Sequence, residues 1–207
     1  MKVLLINGSP HAGGCTYTAL SEVAAVLEQE GIETEFIHIG SQEIRGCTAC
    51  HTCAKTGYCI FKDDAVNTCI DKLSEADGLI VGSPVYYAGP NGALLAFLDR
   101  LFFAAKSGKF AFKPAAAVVS CRRGGASAAF DRLNKYFTIS SMPVVSSQYW
   151  NAVHGNTPAE VRQDFEGMQI MRTLGHNMAW LLKCIDTAKK TVPYPTKEPR
   201  IGTNFIR

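Results

Sequence analysis

The sequence predicts an α/β domain in which helices cover both faces of a parallel sheet. Two observations carry this. Short apolar runs, such as VLLIN at Val3–Asn7 and GLIVGSP at Gly78–Pro84, alternate with longer segments whose apolar residues recur at i, i+3, i+4 and i+7. The runs are apolar throughout rather than every second residue, as in strands buried on both faces. A chain of 207 residues, 47% hydrophobic and 19% charged, has the length and composition of one domain with a full core.

Strand one, Val3–Asn7, ends at Gly8. A helix follows with Leu20, Val23, Ala24 and Leu27 on one face, closing near Gly31. ETEFIHI, Glu33–Ile39, reads as strand two, and a cysteine-rich loop follows it. Asp63 or Asp64 can then cap a helix whose apolar face is Val66, Cys69, Ile70 and Leu73. Strand three is Gly78–Pro84, and Leu94, Phe97, Leu98 and Leu101 mark the next helix. AAAVVS, Ala115–Ser120, is strand four, followed by a helix through Phe130, Leu133 and Phe137. PVVSSQY, Pro143–Tyr149, reads as strand five. The last long helix carries Met171, Leu174, Met178, Leu181 and Ile185, and the Pro-rich tail from Pro193 to Arg207 is read as extended.

This alternation gives a doubly wound five-stranded parallel sheet, and the strand spacing suits the flavodoxin-like order 2-1-3-4-5. One domain then spans residues 1–190, with the cysteine-rich loop at 46–60 and a tail at 191–207. The net charge of +3, without a Lys/Arg run, argues against a nucleic-acid surface. The apolar run Val3–Ile6 is too short for a signal peptide's core, and no stretch reaches transmembrane length. The expected location is the cytoplasm, where thiols stay reduced.

In such a sheet ligands sit beyond the carboxyl ends of the strands, where the winding reverses. Three loops should meet there: GSPHAGGCT (Gly8–Thr16), GSPVYYAGPNG (Gly82–Gly92) and SCRRGG (Ser120–Gly125). The first runs straight into a helix, so its N–H groups and the helix dipole suit a phosphate, with hydroxyls at Ser9 and Thr16. Gly14 stands where a Walker A loop has lysine, and the pattern is not G-x-G-x-x-G. What remains is a nest for a phosphomonoester, or a plain strand-to-helix turn. The second loop offers backbone to the edge of a flat heterocycle, unless Tyr86 and Tyr87 are core or interface aromatics. In the third, Arg122 and Arg123 suit anionic charge on a reduced ring or on a second substrate, or are a solvated pair. A phosphate nest beside a slot for a flat ring points to FMN.

Four of the eight cysteines fall in CTACHTCAKTGYC, spaced C-x2-C-x2-C-x5-C at Cys47, Cys50, Cys53 and Cys59. Reduced thiols favour a metal site over disulfides. An iron–sulfur cluster, zinc and no metal all stay open on spacing alone. Cys69 and Cys184 lie on apolar helix faces and are expected in the core. Cys121 follows strand four. Cys15 sits at a helix N-terminus, which would lower its pKa. His51 is a spare ligand or a solvated loop residue, and the sequence offers no partner for His154 or His176.

The three loops together resemble the NADPH-dependent FMN reductase-like flavoproteins, specifically their iron-sulfur flavoprotein branch. GSPHAGGCT is similar to the family's phosphate loop, SPVYYAGPNGALLAFLDR to its isoalloxazine loop and helix, and SCRRGG to its third loop; the likeness spans about residues 1–190. The resemblance implies a flavodoxin-like fold, noncovalent FMN and a homodimer or homotetramer. It carries FMN binding onto Ser9, His11, Gly13, Gly14, Cys15 and Thr16, onto Pro84, Val85, Tyr86, Tyr87 and Gly89, and onto Ser120, Arg122, Arg123, Gly124 and Gly125. His11 stands where the family commonly has arginine, which shifts phosphate neutralisation toward backbone groups. It also implies that Cys47, Cys50, Cys53 and Cys59 hold a [4Fe–4S] cluster.

Three functions follow as expectations. The first is an FMN-dependent redox protein passing electrons through a cluster, with a ferredoxin-like partner. The second is an NAD(P)H-dependent oxidoreductase acting on flavin, quinones or nitro compounds without a cluster. The third is a thiol or metal sensor without enzymatic activity. Flavin N5 accepts hydride itself, so no catalytic side chain is expected. The tail, ending in Phe205 and Ile206, is expected to dock on a neighbouring subunit.

Overall fold

Three apolar runs build the middle of the sheet. A computed structural model of the chain describes residues 1–105, 108–199 and 201–203. Strand β1 (Lys2–Asn7) lies between β2 (Glu33–His38) and β3 (Gly78–Tyr86), both parallel to it. Parallel strand β5 (Ala115–Cys121) follows on the far side of β3, and β6 (Ala152–His154) closes that edge. The order β2-β1-β3-β5-β6 is the expected 2-1-3-4-5 winding. A two-residue strand β4 (Gly89–Pro90) folds back antiparallel on the end of β3.

Side chains alternate across a strand, so the continuous apolar runs feed two cores. Leu4, Ile6, Leu79, Val81, Ala117 and Val119 face α3 (Val66–Glu75), α4 (Gly92–Ala104) and α5 (Ala126–Ile139). Val3, Leu5, Ile80, Ala116 and Val118 face α1 (Cys15–Gln29) and α7 (Phe165–Ala188). Two short helices, α2 (Cys53–Thr56) and α6 (Pro158–Gln163), complete the chain. The predicted face of α1 is buried throughout, and so are those of α3 and α4.

The fifth strand differs from the expectation at Pro143–Tyr149. That segment touches the sheet only at its start, where Val145 donates its N–H to Ala115 O and one bridge joins Val144 to Ala115. The chain then leaves the sheet and returns at Asn151, whose Nδ2 donates to Ala117 O and whose carbonyl accepts from Val119 N–H. Regular pairing begins only at Ala152. Local β-propensity marks the segment that starts the strand, whereas a buried Asn makes the bonds that finish it.

Cys184 is exposed, contrary to its expected place in the core. The buried face of α7 runs through Met171, Leu174, Met178 and Leu182, and Cys184 lies off it. Cys69 is fully buried. The described part of the tail has no regular secondary structure; Tyr194 stacks on Phe112 with centroids 5.0 Å apart. Phe205 and Ile206 lie outside the described residues. No helix among the described residues is long and apolar enough to cross a membrane.

Candidate flavin pocket and cysteine cavity

The loops that follow β1, β3 and β5 meet at the carboxyl edge of the sheet. They line a cavity of about 770 Å³ together with Gly155–Pro158. That volume lies within the usual range of small-molecule and cofactor sites. Ser9, His11, Gly13, Gly14, Cys15, Thr16, Pro84, Val85, Tyr86, Ser120 and Arg122 all line it.

Asn7 shapes the phosphate loop. It is 1% exposed; its Oδ1 accepts the Ser9 N–H at 3.1 Å and its Nδ2 donates to Ala12 O at 3.2 Å. Ser9 Oγ accepts the His11 N–H, and the His38 ring meets Ser9 O at 2.8 Å. No side chain caps α1 at Gly14, so the N–H groups of its first turn remain available to an anion. Thr16 and Ser120 share a hydrogen bond of 2.8 Å, both nearly fully buried, tying the first loop to the third. Cys15 departs from the expectation: burial pushes its thiol up, and its Sγ faces Gly155 O at 3.8 Å. The helix end does not prevail over desolvation there.

Neither tyrosine of the second loop is core. Tyr86 is half-exposed and Tyr87 fully exposed. Tyr87 and Ala88 have φ of 49° and 59°, the left-handed pair of a two-residue type I′ turn that returns the chain into β4. Such backbone is costly in residues other than glycine and collects at functional sites. Gly125 supports the turn. It has φ 94°, and a Cβ there would lie 2.7 Å from Ala88 Cα.

Tyr87 and Gly89 do not line the flavin-sized cavity. Arg123, Gly124 and Gly125 line a neighbouring cavity of about 430 Å³ with Tyr149, Trp150 and His154. Two partners missing from the sequence reading are present: His154 Nδ1 lies 3.5 Å from Asp164, and His176 Nδ1 lies 3.1 Å from Glu30. The Gly155–Pro158 contribution escaped the sequence reading because strand five was ended too early. GNTP has the Gly, Thr and Pro signals of the other strand-to-helix turns, and Thr157 indeed caps α6.

The second site lies elsewhere. Cys47, Cys50, Cys53 and Cys59 line one small cavity with His51, Arg100 and Phe103, and it shares no residue with the flavin-sized pocket. All eight cysteines are free. Cys47 and Cys50 are exposed, Cys53 is buried and Cys59 is intermediate. Ala49 and His51 have φ of 51° and 58°, so the exposed limb turns sharply twice, and the His51 ring packs against Phe103 at 5.9 Å. Burial pushes the Cys53 thiol up, with Cys50, Cys47 and Cys59 adding to the rise; Thr52 N–H pulls Cys50 down.

Among the described residues no three ligating side chains are arranged to hold a metal ion. The cavity that the four cysteines help to line is about 20 Å³, room for about one water molecule. The donor set is nevertheless that of an all-thiolate cluster. Cys47 and Cys50 stand on exposed backbone outside regular structure, whereas Cys53 and Cys59 pack on the core. By donor chemistry the residues fit.

Arg100 of α4 closes this cavity and is 1% exposed. It forms a buried ion pair with Asp64, whose Oδ1 also accepts the Val66 N–H. Its Nε donates to Cys59 Sγ at 3.2 Å, and Phe61 lies against its guanidinium. Burial works against its charge, but Asp64 and Cys59 outweigh it and hold the group above its ordinary pKa. Sequence reading missed Arg100 because it interrupts no periodicity; an arginine within LLAFLDRLFF was the available signal.

A family model described as NADPH-dependent FMN reductase matches residues 1–157. An iron-sulfur flavoprotein of Methanocaldococcus jannaschii is 34% identical over 196 residues, covering 89% of this chain and 99% of that protein. An iron-sulfur flavoprotein of Methanosarcina thermophila is 29% identical over 190 residues, covering 89% of this chain and 97% of the relative. A flavodoxin from the domain Archaea has a similar fold, with a TM-score of 0.60 at 17% identity over 88% of this chain and 99% of its own.

Proposed function

We propose, for a chain that belongs to the NADPH-dependent FMN reductase family, that two redox centres work together: FMN at the sheet edge and an iron–sulfur cluster on Cys47, Cys50, Cys53 and Cys59. The protein is a flavin-dependent oxidoreductase of flavodoxin-like fold. FMN supplies one- and two-electron chemistry, and the cluster a one-electron relay. The uncapped N-terminus of α1 and the Ser9 hydroxyl hold the phosphate. The Thr16–Ser120 bond keeps the first and third loops in register. Pro84–Tyr86 offer backbone to the ring edge, and Arg122 supplies positive charge beside it. The four thiolates hold the cluster.

The observation that carries this reading is the convergence of all four motif cysteines on one cavity, separate from the flavin pocket. Two relatives named iron-sulfur flavoproteins, aligned over nearly their whole length, support iron over zinc. Arg100 lies eight residues beyond the start of α4, ~12 Å along the helix. The cysteine cavity shares no lining residue with the flavin-sized pocket, and we propose that the cluster exchanges electrons with a partner subunit's flavin. We accordingly propose a homodimer or homotetramer in the cytoplasm, with exposed Tyr87, Trp150 and Phe165 available for contact. Light scattering at micromolar concentration tests assembly: a monomeric mass refutes it.

Quantifying iron, sulfide, zinc and FMN on protein purified without oxygen tests the main reading. Iron and sulfide with FMN support it; zinc, or FMN alone, overturns the cluster. A cluster-free NAD(P)H-dependent reductase is the second reading, favoured by the family and by the 430 Å³ cavity that adjoins the third loop at Arg123. Rapid bleaching of the flavin by NADPH, in protein without iron, would select it.

A further inference from the structure

We infer that Arg100 is a positioning residue of the cysteine site, donating a charged hydrogen bond to the Cys59 thiolate and raising the reduction potential of the cluster held there. This rests on the cluster reading above.

A guanidinium carries five N–H donors in a fixed fork. In Arg100 each finds an acceptor. Nη1 reaches Arg45 O and Asp64 Oδ2, and Nη2 reaches Phe61 O and Asp64 Oδ1. Nε is left, and its acceptor is Cys59 Sγ at 3.2 Å. The fork is thus aimed by Asp64 and two carbonyls, and the one donor not used on the loop's own structure points at a candidate ligand sulfur. Burying a charge is unfavourable, and a neutral side chain would serve packing alone at a site 1% exposed. Lysine cannot reproduce the fork. The charge therefore has a use beyond filling the core.

The chemistry supplies that use. An electron added to a cluster makes its sulfurs more negative. A hydrogen bond donated to one sulfur stabilises the reduced form more than the oxidised form. Arg100 comes from α4, a rigid helix of the domain, rather than from the cysteine loop itself. The flavin pocket contains neither Arg100 nor Asp64, so the effect should stay with the cluster.

The experiment uses full-length protein, reconstituted anaerobically, with iron, sulfide and FMN quantified first. R100M/D64N removes donor and acceptor charge together, which spares the fold the cost of one unpaired buried ion. In the loaded variant, a spectroscopically followed redox titration should give a lower cluster midpoint. The expected change is at least tenfold in the reduced-to-oxidised ratio, about 59 mV for one electron. The FMN midpoint should be unchanged, and R100K should fall between variant and wild type. A loaded variant with an unmoved cluster midpoint overturns the inference and leaves Arg100 a structural staple. If the double variant holds no cluster, R100K decides by the same titration: a lowered midpoint supports the role and an unmoved one refutes it. Wild-type protein without iron defeats the cluster reading itself, and the inference with it.

Discussion

In the pocket at the sheet edge the lining groups are backbone and mostly short side chains of the loops that follow buried strands, with Arg122 among them. In the cysteine cavity they are side chains of one irregular loop, held by an arginine from a neighbouring helix. The first site is a by-product of the winding: the apolar runs of β1, β3 and β5 bring three loops together whatever the rest of the chain does. The second depends on a few long-range contacts, above all Arg100 with Asp64, Phe61 and Cys59. A site made of strand ends should tolerate local change that a site made of side chains does not.

The largest expected effect falls on the loop. Replacing any one of Cys47, Cys50, Cys53 or Cys59 with Ala should abolish or severely deplete the cluster while FMN content stays at wild-type level. Cys69→Ala and Cys184→Ala should keep both cofactors. Iron and flavin assays on each variant check this, and joint loss of iron and FMN would mean that the two sites are not separable.

Next comes the brace behind the loop. Asp64→Ala leaves the Arg100 charge buried and unpaired, and should cost about 3–5 kcal/mol in urea unfolding of the apo-protein. A cost below about 1 kcal/mol, the range of exposed pairs, would show that the pair is solvated in solution.

The flavin side should respond less. Gly125→Ala places a Cβ against Ala88 at a left-handed backbone position, and is expected to cost about 2–3 kcal/mol in stability and to weaken FMN binding. Thr16→Val takes away the buried partner of the Ser120 hydroxyl. It should weaken FMN binding by about 1–2 kcal/mol and leave iron content alone. Isothermal titration of the apo-protein with FMN measures both, and unchanged affinity in Gly125→Ala would detach the hairpin from the flavin site.

The same contrast governs what could be read from sequence. Strands β1, β3 and β5 were legible because burial on both faces leaves unbroken apolar runs, and their order brought the three loops together. Strand β6 was not: the apolar segment that begins at Pro143 makes only one isolated bridge, and the sheet is rejoined at Asn151, a residue with low strand propensity, just before β6. Asn7 ends β1 as the sequence predicts, and its side chain also organises the loop that follows. Cys15 looked activated by a helix end, and burial reverses it. The cysteine spacing was visible at once, but the residues that hold the loop were not. Arg100 and Asp64 are 36 residues apart, and although an arginine within LLAFLDRLFF marks one half of a buried pair, nothing local names its partner.

The central claim is that one chain holds a flavin and a cluster at two separate sites, and one measurement bears on it most directly. Iron, acid-labile sulfide, zinc and FMN should be counted per chain on protein purified and reconstituted without oxygen. The expected result is about four iron, about four sulfide and about one FMN, the stoichiometry of one [4Fe–4S] cluster beside one flavin. Fewer than about one iron per chain, with FMN present, would contradict it and leave a flavin reductase whose cysteine loop carries no such cluster.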